Sequence, residues 1–379
     1  MLSKKFLATC TVTAGLLTAA SSNAVANWGS NANAAAAAQY LERGGSFYAV
    51  TDAQSIKPQI QYILKSIFSR FPAATAQKLE SYQNIFDMGC TIAGINDVQA
   101  IGQSSKVMIP ARNGKPAIYH NRLVITTANK GKLPLFMQVA NGTPAKLQQV
   151  ASIIPDNAKY AVYGSLNPMP LYNAIDGMGL IPADFKNEFK TNMGCQISDL
   201  LNAVSGNYVA CLFDVYEDKC PSALVIMPDK NHLIYGMICK AEGKDPATTQ
   251  FIETKDPAFY LKVTKTTNGM MLFFGENTEA MFQRKLQSRQ TIANSLMYRT
   301  LAAKIPASAA WYEFDCMDFG KKGLCGISAT VFDKDGMKCY TNGYYDWNVL
   351  PLALIAKIAD EVMSITKLYA QELPLPAVQ

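Results

Sequence analysis

The sequence predicts an α+β protein built from repeated units of antiparallel sheet with helices packed on one face. Three observations lead there. Short β-rich runs follow one another with turn signals between them. Pairs of helix-period segments interrupt those runs instead of alternating with single strands, which is the α+β order and not the α/β order. Stretches of sequence also recur. Met88-Gly89-Cys90-Thr-Ile92 returns as Met193-Gly194-Cys195-Gln-Ile197, and Ile154-Pro155-Asp-Asn-Ala158 returns as Ile305-Pro306-Ala-Ser-Ala309.

The first unit opens after a short helix over 33–43, closed by Gly44. A strand is expected at 46–51, then an amphipathic helix at 56–71 with Ile60, Ile63, Leu64 and Ile67 on one side. Strands follow at 106–110, 116–126 and 133–140, with a hairpin turn at Asn113-Gly114. Gly102 and Gly206 read as turns that lead into strands. Thr143-Pro144 caps a helix running to about 152. The second unit repeats the plan. It has a strand at 158–163, helices within 168–204, the last capped by Ser198, and strands at 207–214, 222–228 and 232–240. Asp245-Pro246 opens a short helix, strands follow at 258–265 and 270–275, and a helical region covers 277–303. The third unit has strands at 309–316, 324–332 and 337–345, then a terminal helix over about 347–371 capped by Asp346. The expected domains are therefore a signal peptide at 1–26, an Ala-rich segment at 27–45, and units at 46–152, 153–304 and 305–379.

The start of the chain reads as an export signal. Lys4 and Lys5 form a basic start, 6–20 is apolar and uncharged, and Ala24-Val25-Ala26 fits a cleavage site. Cleavage leaves Asn27 first and places the protein in the periplasm or outside the cell. Loss of Lys4 and Lys5 takes the formal charge from +6 to +4. That excess is spread along the chain with no basic stripe, so nucleic acid is not an expected partner. The later apolar stretch 349–370 carries Lys357, Asp360, Glu361 and Lys367, so no transmembrane segment is expected after cleavage. With 49% hydrophobic and 17% charged residues, the composition belongs to a folded chain.

Nine cysteines, eight of them beyond Cys10, favour disulfides in an exported protein. Cys211/Cys220 and Cys316/Cys325 share a nine-residue spacing, each followed by a β-rich run. We expect each pair to span a hairpin as a disulfide, contributing on the order of 2–3 kcal/mol. Buried free thiols are the alternative. Cys90, Cys195, Cys239 and Cys339 have no assigned partner. No Cys-x-x-Cys occurs and the two histidines, His120 and His232, stand away from the cysteines, so no metal or cofactor is expected.

These motifs resemble a family of exported bacterial envelope proteins classed only as a domain of unknown function. The Ile-Pro-x-x-Ala lead, a strand and helix, and the segment Gly194-Cys-Gln-Ile-Ser-Asp199-Leu200-Leu201 running through Gly206 into a strand carry the resemblance. It is best over 152–318 and weaker over 45–127. It implies an envelope or secreted location and no activity.

Catalytic signatures are scarce. No Gly-x-Ser-x-Gly elbow occurs. His120 lies in a strand-like run and His232 after a turn, and both read as structural. Glu313, Asp315 and Asp318 gather on one strand, with Glu313 and Asp315 alternating onto one face. A solvated strand face is the plain reading; acid–base work or cation binding is the chemical one. Asp333-Lys-Asp335-Gly336 lacks ligands at the later calcium-loop positions and reads as a hairpin turn. Met169, Met178, Met193, Leu180 and the run Met270-Met271-Leu272-Phe273-Phe274 are expected in the core. The expected function is a non-enzymatic exported protein that binds a partner, such as an envelope protein or lipid, or supports the cell envelope. The alternatives are a carrier of a lipid or other apolar ligand held between units, and a hydrolase using Glu313/Asp315 or a histidine.

Overall fold

A computed structural model describes residues 31–54, 94–128, 133–214, 221–256, 259–318 and 321–344, with isolated positions between them. The expected signal peptide, Cys10, Cys90, Cys220, the terminal helix at 347–371 and, but for isolated positions, the 56–71 helix and the Met88–Ile92 copy of the repeat lie outside the described residues.

The α+β architecture is present, on a larger scale than separate units. Twelve antiparallel strands form one sheet. Three neighbouring strands come from the first stretch: β1 (Phe47–Asp52), β2 (Val98–Ile109) and β3 (Ile118–Thr127). Beside β3 stands β14 (Gly336–Gly343), then β13 (Lys321–Asp333) and β12 (Trp311–Asp318). The sheet continues through β5 (Tyr160–Leu166), β6 (Gly206–Asp214), β7 (Ser222–Pro228), β10 (Gly269–Phe274), β9 (Phe259–Lys265) and β8 (Phe251–Asp256). A separate short pair joins β4 (Ala145–Lys146) to β11 (Ser308–Ala309). The two Ile-Pro-x-x-Ala copies lead into β5 and β12, antiparallel neighbours at the centre. Ile154, Ala158, Ile305 and Ala309 are all buried in the same core.

That core lies on one face of the sheet. Cross-strand register lines up Phe273, Leu224, Cys211, Ala161, Phe314 and Ile327. Over them pack α3 (Leu147–Ile153), α8 (Thr278–Gln287) and α9 (Tyr298–Leu301), through Leu147, Val150, Phe282 and Leu301. A second cluster forms where α7 (Leu233–Ala241) buries Tyr235 and Cys239 against Ile252, Val263 and Met270. A third forms where α1 (Ala32–Ala38) covers Val50, Ala100 and Val124. Gly164 is required by a close approach: a Cβ there would sit 2.4 Å from the Trp311 ring. The Trp311 indole donates to the Ala140 carbonyl at 2.7 Å, tying α2 (Leu135–Ala140) to the sheet.

Several expected elements differ. Residues 135–140 and 233–241 are helices, not strands. In the second, both carboxylate oxygens of buried Asp229 accept from the Ile234 and Tyr235 amides at 2.9 and 2.8 Å. This fixes a helical first turn where the apolar composition reads as a strand. Gly102 lies inside β2, paired with Val50 and Val124, instead of forming a turn. The helix α6 (Ile197–Ala203) has Gln196, not Ser198, at its N-cap, where the Gln196 amide donates to Asp199 at 3.0 Å in a capping box. No helix follows Asp245-Pro246, and β8 occupies a stretch with no expected strand. The Asn113-Gly114 turn forms as expected, with both residues at positive φ between bridged Arg112 and Lys115.

Candidate functional site

Two cross-strand rows on the sheet face opposite the main core build the candidate site. The first runs Asn121, Thr341, Ser328, Glu313 across β3, β14, β13 and β12. Two residues along, the second runs Gly343, Gly326, Asp315, Tyr160 across β14, β13, β12 and β5. Strand alternation sends both rows to the same side. The facing glycines leave a hollow that side chains would fill, and the two rows line a pocket of about 140 Å³.

The pocket is acidic, and all its lining residues but the two glycines carry a polar group. Glu313 and Asp315 supply two carboxylates from one strand. The Tyr160 hydroxyl bonds to Glu313, and burial, followed by the Glu313 charge, pushes the Tyr160 phenol up to about 12. Burial raises the Glu313 carboxyl above its ordinary value, partly offset by that hydrogen bond. Ser328 and Thr341 bond each other through their hydroxyls at 2.8 Å. Such a set offers negative charge and oxygen acceptors to a ligand that brings donors. Among the described residues, no cluster of three or more His, Cys, Asp or Glu side chains is arranged to hold a metal ion.

The structure thus brings Glu313 and Asp315 into one pocket. The Asp318 side chain lies outside the described residues. His120 is buried on the other face, where it pairs with Asn342. His232 stands at the start of α7 with a positive φ. Neither histidine joins the carboxylates. Sequence reasoning missed Tyr160, Asn121, Ser328 and Thr341. The available signal was polar residues at alternate positions of otherwise apolar strands.

The expected disulfides require correction. Cys316 and Cys325 do lie on the β12–β13 hairpin, but they form no disulfide, and neither do Cys195, Cys211, Cys239 and Cys339. The pairing shifts register between Asp315 and Met317, so Cys316 sits in an irregularity. The Cys325 thiol instead donates to the Gly323 carbonyl at 3.1 Å. Cys211 lies on β6, and its expected partner Cys220 is outside the described residues. The methionines divide: Met270 is buried, whereas Met178 and Met193 are exposed with Leu180 and Phe185 around α4 (Met169–Gly177) and α5 (Ala183–Met193). Asp333-Lys-Asp335-Gly336 is the expected hairpin turn between β13 and β14. No helix among the described residues is long and apolar enough to cross a membrane.

No family model matches the chain, and no curated protein matches it. One solved structure, TP0453 in crystal form III, is similar at 10% identity over 48% of this chain and 73% of its own, with a TM-score of 0.22. A likeness that weak carries no argument about fold or function.

Proposed function

We propose that this chain is an exported, non-enzymatic binding protein that holds a small organic cation in the acidic pocket. The observation that carries the reading is the convergence of Glu313, Asp315 and the Tyr160 hydroxyl on one hollow floored by Gly326 and Gly343. Two carboxylates are held beside a pocket wall, in a protein whose formal net charge is positive. An ammonium group pairs with both carboxylates and donates hydrogen bonds to the surrounding oxygens. The basic start, apolar run and Ala24-Val25-Ala26 support export.

The test is calorimetric titration with putrescine, choline and, as a neutral control, glucose. Saturable binding of a cation is expected, with glucose silent. Gly326→Ala should abolish it without unfolding the protein. A Cβ at 326 meets its nearest atoms at 3.6 Å, ordinary contact distance, yet projects into the hollow. Glu313→Gln should weaken binding at least tenfold. In the unmodified protein, affinity should fall on acidification at a higher pH than an ordinary glutamate would give, because the Glu313 carboxylate takes up its proton early. Cation binding unchanged by both substitutions would place the ligand elsewhere. The raised Glu313 carboxyl favours a second reading, acid–base hydrolysis with Asp315 as its partner. Turnover of a bound glycoside, lost in Glu313→Gln, distinguishes it from binding alone.

A further inference from the structure

His120 is 1% exposed, and every hydrogen bond around it has a fixed direction. Asn342 spends both amide hydrogens on backbone carbonyls, donating to Leu301 at 2.7 Å and to Ala303. Its Oδ1 therefore faces His120 Nδ1, which must carry a proton to donate to it. The other ring nitrogen, Nε2, is left as an acceptor, and the Arg122 Nε–H donates to it at 3.1 Å. The rest of the Arg122 guanidinium reaches the chain after α1. One Nη donates to the Tyr40 carbonyl at 3.2 Å and the other to Glu42 Oε1 at 2.9 Å. The neutral imidazole is thus the part that seats Arg122, and Arg122 is a clasp over residues 40–42.

We propose that His120 is an acid-triggered latch, whose protonation expels Arg122 and frees the 40–43 end of the N-terminal segment from the sheet. A second ring proton must sit on Nε2, pointing at the Arg122 N–H that now donates there. Two donors cannot share that contact. The available acceptor is Glu42, whose Oε1 lies 3.8 Å from Nε2. Glu42 turning to the imidazolium removes the second anchor of Arg122. The other charges facing the ring are cationic and favour the same outcome. Lys304 Nζ lies 3.9 Å from Glu42, and Lys106 is the register partner of His120 on β2. Tyr340 on β14 lies under the Arg122 guanidinium, 5.4 Å from the ring centroid. Other ties do not involve His120: the Tyr40 hydroxyl to Asp335 at 2.7 Å, Lys338 Nζ over the Tyr40 ring at 3.6 Å, the Glu42 amide to Ser104 Oγ at 3.1 Å, and Leu41 buried in the cluster under α1. Release therefore loosens this end without detaching α1.

Burial holds the His120 pKa below 6.5, against the opposing effects of Asn342 and Glu42. The sign follows from linkage. A group that resists protonation when closed binds a proton better when open. The closed latch is stable above pH 6.5 and loses stability as pH falls below it.

The experiment is hydrogen exchange of residues 40–43 between pH about 7.5 and about 5, corrected for intrinsic rates, with the His120 ring proton followed by NMR. Only two histidines occur, so the signals are separable. Local opening should rise by up to about tenfold per pH unit below 6.5, the limit for one proton. His120→Gln, which cannot titrate, should flatten that rise. Glu42→Gln should move the ring titration to lower pH, and serves if the first variant does not fold. Opening independent of pH in the unmodified protein, a full pH response retained in His120→Gln, or a ring that titrates above 6.5 would overturn the proposal.

Discussion

Burial decides the chemistry of the cysteines more than spacing does. Desolvation pushes both Cys211 and Cys316 up to about 12. The thiolate is the nucleophile, so such thiols pack as small hydrophobes and do not react. We predict that iodoacetamide leaves these two unmodified in the native protein. In denaturant without reductant, all six described cysteines should be alkylated, as read by mass spectrometry. A mass showing Cys316 and Cys325 protected under those conditions would contradict the absence of a disulfide between them. The nine-residue spacing did locate a hairpin here. It could not reveal the register shift beside Asp315, because a bulge leaves no mark in residue type. The carboxylates show the same division. Alternation placed Glu313 and Asp315 on one face, while their partners Tyr160, Ser328 and Thr341 come from strands whose neighbours only the folded sheet defines.

Most strands were legible because period-two runs with bounding turns are local signals. The two misread helices were not, and Asp229 explains one of them. The run Leu233–Ala241 is apolar enough for a buried strand. Its helical clue is the spacing of Tyr235 and Cys239, one turn apart and both buried against Ile252, Val263 and Met270. What settles the matter is a fully buried carboxylate seating two amides of the first turn. Positive φ at Asn231 and His232 turns the chain into that position. Asp229→Ala removes both acceptors and leaves the amides orphaned, at a cost of about 1–2 kcal/mol. The expected result is a lower urea midpoint with an unchanged slope, and faster amide exchange confined to α7 and its strands. Equal stability of the variant would show that the apolar contacts alone hold the helix.

At the scale of the molecule, the repeats and the sheet tell one story. The three expected stretches remain contiguous in the strand order, but the last is inserted between the other two. Its β14 pairs with β3 over eight residues, and its β12 with β5 over five. A strand order that places the last three described strands at the middle of the sheet cannot be read from local periodicity, because it depends on pairings distant in sequence. It has an energetic consequence. The main core takes Ile118 from the first stretch, Leu147 from α3, Phe213, Phe273 and Phe282 from the second, and Phe314 and Ile327 from the third. Apolar burial is cooperative when the same side chains serve several elements, since no stretch can leave without exposing the others' surface. We therefore predict a single unfolding transition in calorimetry, with equal calorimetric and van't Hoff enthalpies, despite the length of 379 residues. Ile327→Ala, at the fully buried centre of the inserted strands, should lower that transition as a whole by about 2–5 kcal/mol of stability. Two resolved transitions, with only one moved by Ile327→Ala, would mean that the stretches fold as independent domains that merely share a sheet edge.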